Sequence, residues 1–177
     1  MKTSIPTYVD NNYLDTVRFE KLELVSAIAE LIDNSIGSYF RNKIHFNHQL
    51  RIDISWNLDE FIIQDNAGGI SLEGFSSALL VSPKIQRTNI PNDVGQYGLG
   101  MKKSSLWIGN TIEFTSGSVI DKKSYKVIWP KRVDEIIQTE ADLEVLPQYN
   151  GHGLKIRITN LNDWNTNNFI NENKIKR

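Results

Sequence analysis

The chain has 177 residues, of which 40% are hydrophobic and 23% charged, and these values suit one globular domain. Its formal net charge is -1, so composition does not indicate a protein that binds nucleic acid over its whole surface. The absence of cysteine excludes disulfides, thiolate zinc sites and cysteine nucleophiles. Because the sequence shows neither a signal peptide nor an apolar run that could span a bilayer, we expect a soluble, cytoplasmic protein with no membrane partner.

The first predicted element is a long helix over residues 19 to about 42. Its apolar and small side chains recur at steps of three and four positions, which places them on one helical face. These positions are Leu24, Ala27, Ile28, Leu31 and Ser35. We therefore expect this helix to pack one face against a core.

Two strands are predicted after the helix, over residues 51–56 and 61–65, with a polar turn between them. A short helix then opens at Ser71, which suits the N-cap position. Residues 82–94 contain prolines and asparagines and predict a long loop, which in a compact domain is typically a functional lid or a segment without structure.

The glycine-rich residues 95–100 lead into a further helix, predicted from residue 101 to about 108. Three further strands are predicted by alternation. They cover residues 111–116, 124–129 and 154–160. The acidic stretch 133–145 shows no clear pattern.

Helices and hairpins alternate irregularly along the chain, unlike the strand–helix repeat of a doubly wound parallel sheet. We therefore predict an α+β two-layer sandwich, in which helices cover one face of a mixed, mostly antiparallel sheet. The domain is expected to span residues 1–162, with a tail or linker over residues 163–177.

Glu30 and Asn34 lie four positions apart in the first helix, so they project from neighbouring turns of one face. Both border the apolar stripe, which would place them at the edge of a buried cavity. A carboxylate there could orient and deprotonate a water molecule, and an amide oxygen is a ligand that Mg²⁺ accepts. The alternative is an exposed polar face on which the pair is incidental.

A second motif, residues 65–70, joins the end of a predicted strand to two glycines. Strand alternation puts Asp65 on the face of Phe61 and Ile63, where a buried carboxylate needs a hydrogen-bond donor such as an adenine amine. The glycines would permit a tight turn and a close approach of the backbone to a flat ligand. The alternative is an ordinary turn, since Asp, Asn and Gly are frequent turn residues.

The third motif is the glycine-rich segment 95–100 with the start of the helix after it. Exposed backbone N–H groups, the helix dipole and the early lysines Lys102 and Lys103 would favour a phosphate at this point. The segment matches neither a Walker motif nor a Rossmann fingerprint. A flexible loop before an ordinary helix is the alternative.

In this order, the three motifs resemble the N, G1 and G2 boxes of the GHKL ATPases, the superfamily of gyrase, heat-shock chaperones, histidine kinases and MutL. The resemblance extends over residues 13–161, nearly the whole chain. Residues 26–35, SAIAELIDNS, are close to the first box. Residues 96–104, QYGLGMKKS, resemble the MORC-type ATPases and their bacterial relatives.

The resemblance implies a left-handed βαβ Bergerat fold that binds ATP and Mg²⁺. It implies that Glu30 is the general base, that Asn34 binds Mg²⁺ and that Asp65 binds the adenine amine. The other residues expected to contact the nucleotide are Gly69 and Ile70 at the adenine, Lys84 in the lid, and Gly95, Gln96, Tyr97, Gly98, Leu99, Gly100, Met101 and Lys102 around the phosphates.

Two positions depart from the family's pattern. Ala67 stands where the first glycine of the G1 box is usual, and alanine is tolerated there only if its backbone conformation is ordinary. Leu154 follows Gly153, where a threonine usually supports the aspartate at the adenine. Because leucine has no side-chain donor, Asp65 must be held by another group or by water.

Three functions are consistent with the motifs. The first is a Mg²⁺-dependent ATPase whose ATP-bound state dimerises and switches a protein or nucleic-acid partner. Residues 1–20 are its candidate dimerising strap, since residues 8–19 resemble that of MutL-like ATPases, and its partners would act through domains outside this sequence. The second is a histidine-kinase catalytic domain, although no phosphoacceptor helix pair precedes Glu30. The third is a nucleotide-sensing module without hydrolysis, against which the retained Glu30 argues.

Overall fold

A computed structural model describes residues 2–7, 22–79, 99–133, 136–149 and 151–163. The helices among them are α1 (Leu24–Asn42), α2 (Leu72–Leu79) and α3 (Leu99–Ile108), and a 3-10 turn (Lys43–His45) follows α1. The strands are β1 (Lys2–Pro6), β2 (Ile52–Trp56), β3 (Glu60–Asp65), β4 (Gly109–Ser118), β5 (Lys123–Trp129), β6 (Arg132–Val133), β7 (Ile136–Ile137), β8 (Glu140–Leu146) and β9 (Gly153–Leu161).

Seven of the strands form one sheet in the order β1-β8-β5-β4-β9-β3-β2, and its ladders are antiparallel. Strands β6 and β7 form a separate hairpin. Because β3 and β4 both pair with β9, they run parallel to each other on either side of it. The chain crosses from β3 to β4 through α2 and α3.

One face of the sheet is apolar, since the strand register aligns buried side chains across five strands. The central row consists of Ile63, Ile156, Phe114, Val127 and Leu143, each at most 4% exposed. Leu31 of α1, Phe75 of α2 and Leu106 of α3 are buried in the same cluster. The helices therefore cover this face, which confirms the predicted α+β two-layer architecture.

The opposite face of the sheet carries charged side chains. Arg157 on β9 pairs with Glu60 on β3, with 2.5 Å between Nε and Oε2. Lys126 on β5 pairs with Glu113 on β4, with 2.8 Å between Nζ and Oε2. We call this surface the open face, because its charged groups can stay hydrated while their strands are covered on the other side.

Some boundaries differ from the sequence prediction. Helix α1 begins at Leu24 rather than near residue 19, since Glu23 before it has an extended backbone (φ -90°, ψ 148°). Helix α3 begins at Leu99 rather than at Met101. The stretch without a clear pattern contains β8, whose residues Ala141 and Leu143 face the core. Side-chain periodicity alone does not show where the first helical hydrogen bond forms.

The proposed strap is described only in part. Its residues Lys2–Pro6 form β1, which pairs with β8 of the same chain at one edge of the sheet. Residues 8–21, the predicted lid at 82–94 and the tail from residue 164 lie outside the described residues. Among the helices that are described, none has both the length and the apolar character needed to cross a membrane.

Candidate functional site

Glu30 lies on an exposed edge of α1, directly against the start of α3. A Cβ atom added to Gly100 would lie 2.3 Å from Oε2 of Glu30. Any side chain at position 100 would therefore displace this carboxylate. Because Gly100 has no side chain, Glu30 of the first motif can contact the end of the glycine-rich third motif.

Asn34 follows Glu30 by one helical turn and is half-buried. Its Nδ2 donates to the backbone carbonyl of Glu30 at 2.5 Å. Because the amide nitrogen is held against the helix backbone, Oδ1 is directed away from it. An amide oxygen next to a carboxylate on one helix is a pair of oxygen groups that a hard cation accepts.

The carboxylate of Asp65 ends β3 and is 9% exposed. Its Oδ1 accepts hydrogen bonds from the backbone N–H of Ala67 at 2.9 Å and of Leu154 at 3.0 Å. Its Oδ2 accepts a hydrogen bond from the hydroxyl of Ser35 at 2.7 Å. The hydroxyl of Ser35 thus supplies the side-chain donor that leucine at position 154 lacks, and the backbone N–H of Leu154 donates as well.

Burial raises the pKa of Asp65 above its ordinary value, while the hydrogen bonds from Ser35, Ala67 and Leu154 act in the opposite direction. An ionised carboxylate has about four lone-pair sites. The backbone donors occupy those of Oδ1, and Ser35 occupies one of those on Oδ2. Oδ2 therefore keeps the capacity to accept a hydrogen bond from a ligand.

The turn after Asp65 is held tightly against the sheet. Gly68 and Gly69 have φ values of 97° and 67°, a region that favours glycine. A Cβ atom on Gly69 would lie 2.3 Å from the carbonyl oxygen of Gly117 in β4. Ala67 is fully buried and keeps an ordinary, negative φ, so the condition that the sequence set for alanine at this position is met.

Ser116 of β4 fixes the next residue of the turn. Its Oγ accepts a hydrogen bond from the backbone N–H of Ile70 at 2.6 Å and donates one to the carbonyl oxygen of Ile70 at 3.0 Å. Ser116 is fully buried and lies opposite Leu154 in the sheet. The predicted adenine-contacting residues Gly69 and Ile70 are therefore both positioned by β4.

Helix α3 carries the described end of the glycine motif. Gly100 faces Glu30, and Met101 and Lys102 are buried. Burial lowers the pKa of Lys102 from 10.5 to about 8. The remaining predicted contacts of the glycine segment and the lid lie outside the described residues. They are Lys84, Gly95, Gln96, Tyr97 and Gly98.

Comparison with known proteins identifies the group to which this site belongs. A family model described as histidine kinase-, DNA gyrase B-, and HSP90-like ATPase matches residues 22–156. The chain belongs to this family, the GHKL ATPases. Its matched region includes α1, the turn after Asp65 and α3, so the three motifs lie within the family's ATP-binding domain.

A curated relative supports a MORC-like position within the GHKL family. Protein MICRORCHIDIA 5 from Arabidopsis thaliana is 27% identical to this chain over 155 residues. The match covers 79% of this chain but 21% of the relative. The chain thus spans a small part of the length of the relative it matches, and the likeness concerns this GHKL domain alone.

Two residues that position the site were not assigned a role from the sequence. Ser35 lies on the inward face of α1, among the predicted core positions, and it binds Asp65. Ser116 is a serine within a strand, and it binds Ile70. In both cases the sequence pattern predicts a buried serine, and a buried hydroxyl requires a hydrogen-bond partner. The sequence does not identify that partner, because tertiary contacts determine it.

Ser35→Ala should destabilise the protein through Asp65. The substitution removes a donor from a buried carboxylate, so the free energy of unfolding should fall by about 1–3 kcal/mol. Since the Ser35 bond lowers the pKa of Asp65, that pKa should rise further in the variant. Urea unfolding at several pH values measures both effects.

The sign of the pH effect follows from linkage. The pKa of Asp65 is raised in the folded state, so the folded state binds more protons and its stability falls as pH rises above 3.8. In Ser35→Ala this window should extend to higher pH. Ser26→Ala, at an exposed position of the same helix, is the control and should stay near the parent stability. Equal stability of the two variants would contradict the role of Ser35.

Lys102→Met should change the pH dependence of stability at alkaline pH. The lowered pKa means that the unfolded state binds more protons between about 8 and 10.5, so the parent protein becomes more stable as pH rises through this window. Methionine does not titrate, so the variant does not gain this stability as pH rises. Its stability relative to the parent should therefore decrease over the same window, by on the order of 1–3 kcal/mol. Denaturant unfolding measures the difference, and a difference independent of pH would refute the buried charge.

Proposed function

We propose that this chain binds ATP together with Mg²⁺ and hydrolyses the ATP, and that the nucleotide drives a conformational switch or dimerisation. The observation that carries the proposal is the buried carboxylate of Asp65, which three donors hold in place while Oδ2 keeps acceptor capacity. A buried carboxylate with a remaining lone pair is suited to an amine donor such as that of adenine. Membership of the GHKL ATPases supports the same ligand.

The backbone around Asp65 suits a flat ring. Gly68 and Gly69 have no side chains, and the turn that contains them is fixed by Gly117 and Ser116 of β4. A planar base could therefore approach the backbone at Gly69 while its amine reaches Asp65. Because these groups are held before any ligand arrives, little conformational entropy would be lost on binding.

The metal and the attacking water would be organised by α1. Among the described residues, no three His, Asp or Glu side chains cluster, so Mg²⁺ would be held by Asn34 together with phosphate and water oxygens. When bound, the metal would neutralise charge that develops on the phosphate oxygens. Glu30, whose carboxylate lies near Gly100 at the start of α3, would accept a proton from a water near phosphates bound at the glycine segment.

Dimerisation and switching are supported by the resemblance of residues 8–19 to a strap, which lies outside the described residues. A MORC-like protein would transmit the nucleotide state to a protein or nucleic-acid partner through further domains. The compartment in which this occurs is proposed to be the cytoplasm.

Asp65→Asn tests adenine recognition without disturbing the fold. The asparagine oxygen can keep both backbone N–H bonds, and its amide can donate to Ser35. The amide nitrogen then replaces Oδ2 and cannot accept a hydrogen bond from adenine. ATP affinity, measured by calorimetry, should fall by about 1–3 kcal/mol, roughly 5- to 150-fold in Kd.

The matched control is Asp53→Asn, at an exposed carboxylate that lies on the open face and pairs with Arg51. This control should bind ATP like the parent. Thermal unfolding of Asp65→Asn should occur at the parent temperature or above it, since a buried charge is removed. A folded Asp65→Asn protein with parent affinity would exclude Asp65 as the adenine ligand.

Glu30→Gln separates binding from chemistry. Glutamine keeps the size of the side chain but cannot take a proton, so ATP hydrolysis should slow by about 10²–10⁴ while ATP affinity changes little. Asn34→Ala should differ, since it should also weaken the Mg²⁺-dependent part of ATP binding. Phosphate release and binding at varied Mg²⁺ measure the two effects, in the longest native chain that contains this domain.

Hydrolysis by Glu30→Gln at the parent rate would refute Glu30 as the general base. Transfer of phosphate to a histidine, instead of its release, would favour the histidine-kinase hypothesis. ATP binding by the parent chain without release or transfer would favour the nucleotide-sensing module.

A further inference from the structure

The open face of the sheet contains a groove of about 440 Å³, far from the Asp65 side of the molecule. Lys126, Glu144 and Lys2 lie side by side across β5, β8 and β1 and line one part of it. Ile128 also lines it, and its position between the buried Val127 and Trp129 shows that it points to the open face. Helix α1, which carries Glu30, packs on the opposite face of the sheet, so this groove is separate from the proposed ATP site.

The charge of the groove is predominantly positive. Lys2, Lys126, Lys131 and Arg132 contribute four cationic groups, against the carboxylates of Asp142 and Glu144. Two of the cations are already engaged: Lys131 pairs with Asp142 at 2.9 Å, and Lys126 pairs with Glu113 outside the groove at 2.8 Å. Within the described part of the chain, Lys2 and Arg132 have no ion-pair partner, so both could bind an anionic group.

The groove also has an apolar component. Ile128 is 47% exposed, and Pro130 lies beside it. Ile128 and Pro130 therefore give the groove an apolar surface beside its cations.

We propose that this groove binds an extended acidic peptide segment of a partner protein, with aliphatic residues among its carboxylates. Carboxylates of the peptide would pair with Lys2 and Arg132, and an aliphatic side chain would pack on Ile128. Side chains of an extended peptide alternate in direction, so one segment can present both groups to the groove.

The chemistry of the groove favours a peptide over a nucleic acid. Asp142 and Glu144 can accept hydrogen bonds from the backbone N–H groups of a peptide, donors that a sugar–phosphate backbone lacks. Among the described residues, those that line the groove include no aromatic ring on which a base could stack. Nucleic-acid sites also rely on many cations with few acidic neighbours, whereas two carboxylates accompany the four cations of this groove.

The test uses an array of short peptides that combine glutamate or aspartate with leucine or valine at all spacings, each matched by a version with lysine in place of the acids. Acidic peptides should bind the 177-residue chain at least about tenfold more tightly than their lysine versions. In NMR titrations, the strongest peptide should shift backbone amides at Ile128, Arg132 and Glu144. Added salt should weaken the binding, since the pairing charges are exposed.

The decisive variant is the double substitution Lys2→Glu with Arg132→Glu, which should reduce peptide affinity by about tenfold or more. Lys123→Glu is the matched control, because this exposed lysine lies at the far end of β5 and does not line the groove. It should bind like the parent, and all variants should keep the parent unfolding temperature within a few degrees.

Four results would overturn the proposal. The first is an array in which no acidic peptide binds better than its lysine version. The second is equal binding by the parent and the folded double variant, and the third is a set of amide shifts confined to another surface. The fourth is an oligonucleotide that shifts the same amides and binds more tightly than every peptide, which would assign the groove to nucleic acid.

Discussion

The buried carboxylate of Asp65 is the constraint on which the site depends, because an ion withdrawn from water must be compensated by fixed donors. Its partners come from three separate elements: Ser35 from α1, Ala67 from the turn and Leu154 from β9. Meeting this requirement joins the helix layer to the sheet at one point. The same requirement leaves Oδ2 as an oriented acceptor, which is the group that the proposed adenine site would use.

Helix α1 organises both halves of the proposed chemistry. Its inward face supplies Ser35 to Asp65, and its exposed edge carries Glu30 and Asn34. Since a helix is rigid and Ser35 binds Asp65, α1 helps to fix the distance between the proposed adenine acceptor and the proposed general base. Close contacts at glycines complete the arrangement, because Gly69 packs on β4 and Gly100 on Glu30, where any side chain would intervene.

The two faces of the sheet have different physical roles. The inner face buries the central row around Phe114 under the helices and provides the hydrophobic stabilisation of the domain. The open face keeps its charges hydrated, so it contributes little to stability and is free to bind other molecules. The proposed ATP site and the proposed peptide groove therefore lie on opposite sides of one sheet. Substitutions can alter either site without changing the residues of the other.

The sequence by itself determined the fold class, the family and the inward position of Asp65, because strand alternation and helical periodicity are local properties of the chain. It also set two conditions. Ala67 needs an ordinary backbone conformation, and Asp65 needs a donor to replace the side chain of the threonine that is usual at position 154. Only the tertiary structure decided how they were met, since Ser35 lies 30 positions from Asp65 and the backbone of Leu154 lies 89 positions away. The sequence also could not predict strand β8, the hydrogen bonds between Ser116 and Ile70, or the groove on the open face. Each of these depends on which strands become neighbours in the sheet, and cross-strand pairing leaves no periodic signal in a single sequence.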